Sequence, residues 1–217
     1  MNKSVYSIVL SDDVVAQVDR LAYKAGTSRS NMINQILAEY VSYTTPEKRL
    51  RDIFDKAVAL VDGMEQLQVM LQPSDTHLAL KSALRYKYNP TVKYSVELYK
   101  SGEALGELRV TMRTQNKTLI TYMNAFFRLW AAVEQHVLGH LPPCTVGEGR
   151  YSRTLHLEPS LAAQATGDAL GQAIIDYVQV LDHCMKLWFE AQAEGIDPDE
   201  QIVRIYREYK KHHLLLK

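Results

Sequence analysis

The chain is poor in the features that would narrow its chemistry at once. Among its 217 residues there are two cysteines, Cys144 and Cys184, too few for a disulfide framework and suited to a reducing compartment. Lys plus Arg equals Asp plus Glu, 25 of each, so no overall field draws the chain to nucleic acid or to a membrane. Any site for a polyanion therefore has to be local. No apolar run approaches the ~18 residues that a membrane span needs. Nothing near the start reads as the apolar segment of a signal peptide, so a cytoplasmic location with no membrane partner is expected. There is no P-loop, Gly-rich dinucleotide turn, nucleophile elbow or HExxH, so neither an enzyme nor a bound cofactor is expected. What remains is the composition of a soluble globular chain, 47% apolar and 23% charged, with room for one large or two small domains.

The most informative stretch is "YSIVLSDDVVAQVDRLAYKAGTSRSNMINQILAEYV", Tyr6 to Val41. Residues 5 to 10 are mostly β-branched or aromatic and predict a short strand. Ser11, Asp12 and Asp13 predict a helix start, with a capping hydroxyl and two carboxylates near the positive end of the dipole. Val14, Val15, Val18, Leu21, Ala22 and Ala25 recur at helical spacing up to Gly26, which stops the helix. Ser28 caps a second helix whose stripe is Met32, Ile33, Ile36, Leu37, Tyr40 and Val41. A strand with no second strand nearby cannot satisfy its own backbone groups, so its partner is expected from a second copy of the chain.

Strand, helix, Gly turn and capped helix in that order, carried by "SIVLSDDVVAQVDRLAYKAGTSRSNMINQILAEY", resembles the ribbon-helix-helix family of DNA-binding proteins, the fold of the Arc and methionine repressors. The resemblance covers about the first fifth of the chain. It implies an intertwined homodimer, or a higher even oligomer, whose two-stranded ribbon enters the major groove of double-stranded DNA. Under it, alternation turns Tyr6, Ile8 and Leu10 toward the helices and Val5, Ser7 and Val9 toward base edges, flanked by Lys3. Two valines offer only methyl contacts to thymine, leaving Ser7 to hydrogen-bond a base. The resemblance also places Lys3, Ser28, Arg29 and Ser30 against phosphate, at a helix start where backbone N–H groups and the dipole face outward together.

Downstream, Pro46 opens a third helix expected over about 46 to 71. Leu50, Ala57, Met64 and Leu71 repeat as a heptad, joined by Ile53, Leu60 and Leu67. That stripe fits either a coiled coil between subunits or packing on the chain's own C-terminal part, and its width favours the latter. Beyond Pro73, Val92, Tyr94, Val96 and Leu98 alternate with polar residues, as do Leu108, Val110 and Met112, which predicts a β-hairpin with one buried face. Helices are expected over about 117 to 139, 160 to 194 and from Asp197 onward, with a short strand near Arg153 to Leu157.

Two further sets of residues are candidates for chemistry. Arg85, Lys87, Lys93, Arg109 and Arg113 lie in a basic, tyrosine-interleaved stretch and form a candidate second DNA surface, though such residues more often make the solvated side of a hairpin. His136, His140 and Cys144, four apart, are the only spacing that invites a transition metal. Cys144 falls beyond Pro142-Pro143 and chance produces such histidine pairs often, so no metal is expected.

The expected fold is mainly α with an α+β C-terminal part. A ribbon-helix-helix domain at 1–44 leads through a helical connector at 45–75 to a domain at 76–217, holding a β-hairpin and several helices, for assembly or for binding a protein partner or small effector. The expected function is that of a dimeric, sequence-specific transcriptional repressor. The alternatives are a plasmid partition or conjugation accessory DNA-binding protein, and a protein–protein interaction module that uses the ribbon only to dimerise.

Overall fold

The computed structural model describes residues 7–41, 46–70, 74, 76–213 and 216–217, with side chains at all of them except 162–164. The chain divides into two compact units, Met1–Arg49 and Leu50–Lys217.

In the first unit, helix α1 (Asp12–Lys24) and helix α2 (Arg29–Tyr40) are joined by a tight turn. Gly26 adopts φ +61°, the left-handed conformation that glycine takes at little cost, and the Thr27 N–H donates back to the Ala22 carbonyl at 2.9 Å. Ser28 caps α2, its Oγ accepting from the Asn31 N–H at 3.3 Å. Ser11 sits at the N-cap of α1, but its hydroxyl makes no capping bond. A small apolar core of Val18, Ala22 and Met32, with Ile33 packed against it, holds the pair together.

The expected N-terminal strand is overturned. Residues 7–10 form no strand, and the N-terminal part of the described chain is three helices within 12–61. A ribbon-helix-helix start and the intertwined ribbon dimer it implies are therefore corrected. The β-branched residues favour extended backbone, yet a strand exists only where a second backbone completes its ladder, and the chain brings none to this segment.

Helix α3 (Pro46–Val61) is shorter than the heptad implied. Leu50, Ile53, Phe54, Ala57 and Val61 are buried in the core of the second unit, and Leu67 joins that core from beyond the helix end. The stripe thus packs on the chain's own C-terminal part rather than making a coiled coil between subunits.

Among the described residues the second unit builds one six-stranded antiparallel sheet, ordered β1-β2-β3-β4-β6-β5. Its strands are β1 (Gln68–Val69), β2 (His77–Ala83), β3 (Thr91–Leu98), β4 (Gly106–Met112), β5 (Cys144–Gly147) and β6 (Arg150–Leu155). The expected hairpin, β3 with β4, is its centre. Alternation buries Leu78, Leu80, Val92, Tyr94, Val96, Leu108, Val110 and Tyr151 on one face, while Lys93, Ser95, Glu97, Glu107 and Arg109 line the other. The buried face shares a core with α3, α4 (Lys117–Leu138), α5 (Gly167–Glu194) and α6 (Asp199–His212). Asn116 and Thr166 cap α4 and α5, and left-handed Gly139 and Gly195 close them. No helix among the described residues is long and apolar enough to cross a membrane.

Helices α3 and α5 meet where Gly171 leaves room. A Cβ there would stand 2.6 Å from the Ile53 carbonyl oxygen and 2.9 Å from Lys56 Cβ. Gly171→Ala is expected to destabilise the second unit by about 1–3 kcal/mol through overpacking, although alanine is the better helix former. Urea unfolding followed by the fluorescence of Trp130 and Trp188, both in this unit, measures it; an unchanged midpoint would show that the helices part freely.

Candidate functional site

The residues expected to meet DNA in the first unit are only partly gathered. Lys3 and Val5 lie outside the described residues. Ser7 and Val9 are exposed on the extended segment before α1, Val9 fully so, while Ile8 and Leu10 are partly covered. Ser28, Arg29 and Ser30 open α2 as expected. Arg29, however, is engaged: its Nε and Nη2 donate to the two carboxylate oxygens of Asp19, both at 2.6 Å. This bidentate clamp ties the start of α2 to the middle of α1. The hydrogen bond from Arg29 holds the Asp19 carboxyl below the usual carboxylate range. A phosphate reaching Arg29 has to compete with that carboxylate, and the Asn31 N–H of the first turn is already engaged by the Ser28 hydroxyl.

The candidate second surface is dispersed. Arg85 follows β2 and pairs with Glu190 of α5 at 3.5 Å. Lys87 stands over the ring of Tyr88 in the β2–β3 connection. Lys93 and Arg109 share the open sheet face, but Arg109 is bracketed by Glu107 at 2.7 Å and Glu97 at 3.4 Å. Arg113 is exposed just past β4. Two of the five, Arg85 and Arg109, are thus met by carboxylates, one from α5 and the others from the sheet register.

His136, His140 and Cys144 are not brought together. Helix α4 ends at Leu138, so His140 lies off the face that carries His136. His136 Nε2 lies 2.6 Å from Nη2 of Arg207, and His140 Nδ1 lies 3.3 Å from the Leu138 carbonyl oxygen. Cys144 is half-buried on β5, where burial pushes its thiol up. Among the described residues no group of three His, Cys, Asp or Glu is placed to hold a metal ion.

Two buried polar clusters escaped the sequence reading. Glu134 of α4 and Arg153 of β6 are almost wholly enclosed and lie 3.0 Å apart. Glu134 accepts hydrogen bonds from the hydroxyls of Tyr151 at 2.8 Å, Tyr177 at 3.1 Å and Tyr206 at 3.0 Å. The Trp130 indole N–H donates to the Tyr177 hydroxyl at 3.1 Å, and the Arg153 guanidinium lies 4.7 Å from the centre of the Tyr177 ring. Burial pushes the Tyr151 and Tyr177 hydroxyls well above their usual range. Burial alone would pull Arg153 down, but the surrounding acceptors more than offset it and keep it charged. In the second cluster the Tyr94 hydroxyl donates to one oxygen of buried Asp182 at 2.8 Å, and Lys186 Nζ lies 2.7 Å from the other. Local signals existed: Glu134 interrupts the apolar run of α4, and Arg153 falls on the buried alternation of β6. Their pairing across the fold left no trace in spacing.

Comparison with protein-family models, with curated proteins and with solved structures gives no match.

Arg153→Met leaves Glu134 as an unpaired buried charge, and is expected to destabilise the second unit by about 3–5 kcal/mol. Adding Glu134→Gln, which keeps an acceptor for the tyrosines without the charge, should recover most of that loss. The double-variant cycle in urea checks both; equal stability of single and double variants would mean the ion pair is not coupled.

Proposed function

We propose that the chain is a homodimeric, cytoplasmic DNA-binding protein that regulates transcription. In this reading the first unit joins two copies and meets DNA, and the second serves assembly or the binding of a partner or effector. The observation that carries the dimer is the balance of apolar surface in the first unit. Its core buries Val18, Ala22 and Met32, whereas Ile8, Val14, Leu21, Ile36, Leu37 and Val41 remain between 38% and 68% exposed and Val9 is fully exposed. A unit of about fifty residues that leaves more large apolar side chains outside than inside is stabilised by a like surface laid against it, and a two-fold pair supplies one.

The DNA part rests on the resemblance of residues 7–40 to a DNA-binding family and on the Ser28-capped start of α2. Without a ribbon, contact falls to that helix start: the outward N–H groups of the first turn and Arg29, which exchanges Asp19 for phosphate. This predicts phosphate-dominated binding with modest base preference. The Arg29–Asp19 clamp and the carboxylates around Arg109 favour a second reading, a dimeric protein–protein interaction module that does not touch DNA.

Titrating the full chain against a pool of random duplexes at several salt concentrations separates the two. The DNA reading expects binding whose salt slope falls by about one charge per subunit in Arg29→Ala, and loss of both dimer and binding in Ile36→Asp, which sets a charge into the shared apolar surface. A stable dimer with no salt-dependent DNA binding would overturn it in favour of the interaction module, and a stable monomer would overturn both.

A further inference from the structure

We infer that the cleft between β2 and α5 in the second unit is a binding site for a small organic anion, one that presents a carboxylate or a phosphate. The cleft encloses about 790 Å³ and is lined by Lys81, Ser82, Arg85, His183, Lys186 and Glu190, among others. That volume falls within the range of small-molecule sites.

Three features converge on an anion. Lys186 is held from beneath: Asp182, 2% exposed, engages its Nζ with one carboxylate oxygen and accepts from Tyr94 with the other. The ammonium is thereby fixed at the cleft wall, with donors to spare. Ser82 is 3% exposed and its Oγ has no partner among the described residues, although it lines the same cleft. A buried hydroxyl left unmatched carries its full desolvation cost, which a ligand oxygen accepting from it would remove. Arg85 is restrained only by Glu190, at 3.5 Å, with both side chains at least half exposed, so it is free to turn to a ligand.

The sheet leaves space for the ligand as well. Strand β1 covers β2 only at Leu80 and Lys81, so among the described residues no strand lies along the Ser82–Ala83 edge beside the cleft. Of the two glutamates that line the cleft, Glu190 is already opposite Arg85 and Glu65 is the other; a cation on entering would still meet the Lys186 ammonium.

This site stands whether or not the chain binds DNA. The test is the melting temperature of the full chain, titrated with inorganic phosphate and separately with succinate, ionic strength being held constant with sodium chloride. At least one of the two should raise it saturably, as a ligand of the native state does. Lys186→Gln should weaken the apparent affinity about tenfold, the worth of one charge-assisted hydrogen bond. Ser82→Ala should fold as stably as the parent, having lost only an unmatched hydroxyl, yet bind the anion several-fold more weakly. A response to phosphate alone or to succinate alone identifies the headgroup. No saturable rise with either anion, or a rise of the same affinity in Lys186→Gln and Ser82→Ala, would overturn the assignment.

Discussion

Burial of apolar surface, at roughly 25 cal/mol for each Å² removed from water, divides this chain into a part that satisfies itself and a part that does not. In the second unit the covered face of an antiparallel sheet and the inner faces of α3 to α6 close around one core that runs from Leu50 to Leu216. That closure is tight enough for α3 to cross α5 at a glycine. The first unit has two helices and a core of three buried residues. Large apolar side chains such as Ile8, Val9, Val14, Leu21, Ile36, Leu37 and Val41 stay exposed there, and the proposed dimer rests on that imbalance more than on any motif.

The second unit also encloses charge, which burial penalises unless it is paired and hydrogen-bonded. Glu134 meets that condition by pairing with Arg153 and accepting from three tyrosine hydroxyls. Arg153 is paired and lies over the Tyr177 ring, its Nε and Nη1 having no hydrogen-bond partner among the described residues. Asp182 meets it differently, with a buried tyrosine on one side and a lysine at the edge of solvent on the other. The first cluster faces only the core, so its role is to fix which helices sit on which strands. The second ends at a cleft, and there an ordered ammonium has something to act on.

Much of the local structure was legible in the sequence because its causes are local. The cap at Ser28, the stop at Gly26 and the alternation of β3 and β4 each depend on a few neighbouring residues. What could not be read depends on distant partners. Strand β2, "HLALKSA", has little β-branched character and becomes a strand because β3 lies beside it. Residues 7–10 have the character and no neighbouring strand, and they form none. Among the candidate site residues, Ser28 was found where its capping role put it. The engagement of Arg29 by Asp19, ten residues earlier, and the pairing of Arg109 with Glu97 and Glu107 follow from helix and sheet register that composition does not reveal.

The account turns on the claim that two copies of the first unit cover each other's apolar surface. Sedimentation equilibrium of the full chain over a range of micromolar concentrations tests it most directly. The account predicts a limiting mass twice the 24.7 kDa of one chain, or a higher even multiple. A single species of 24.7 kDa at every concentration would contradict it.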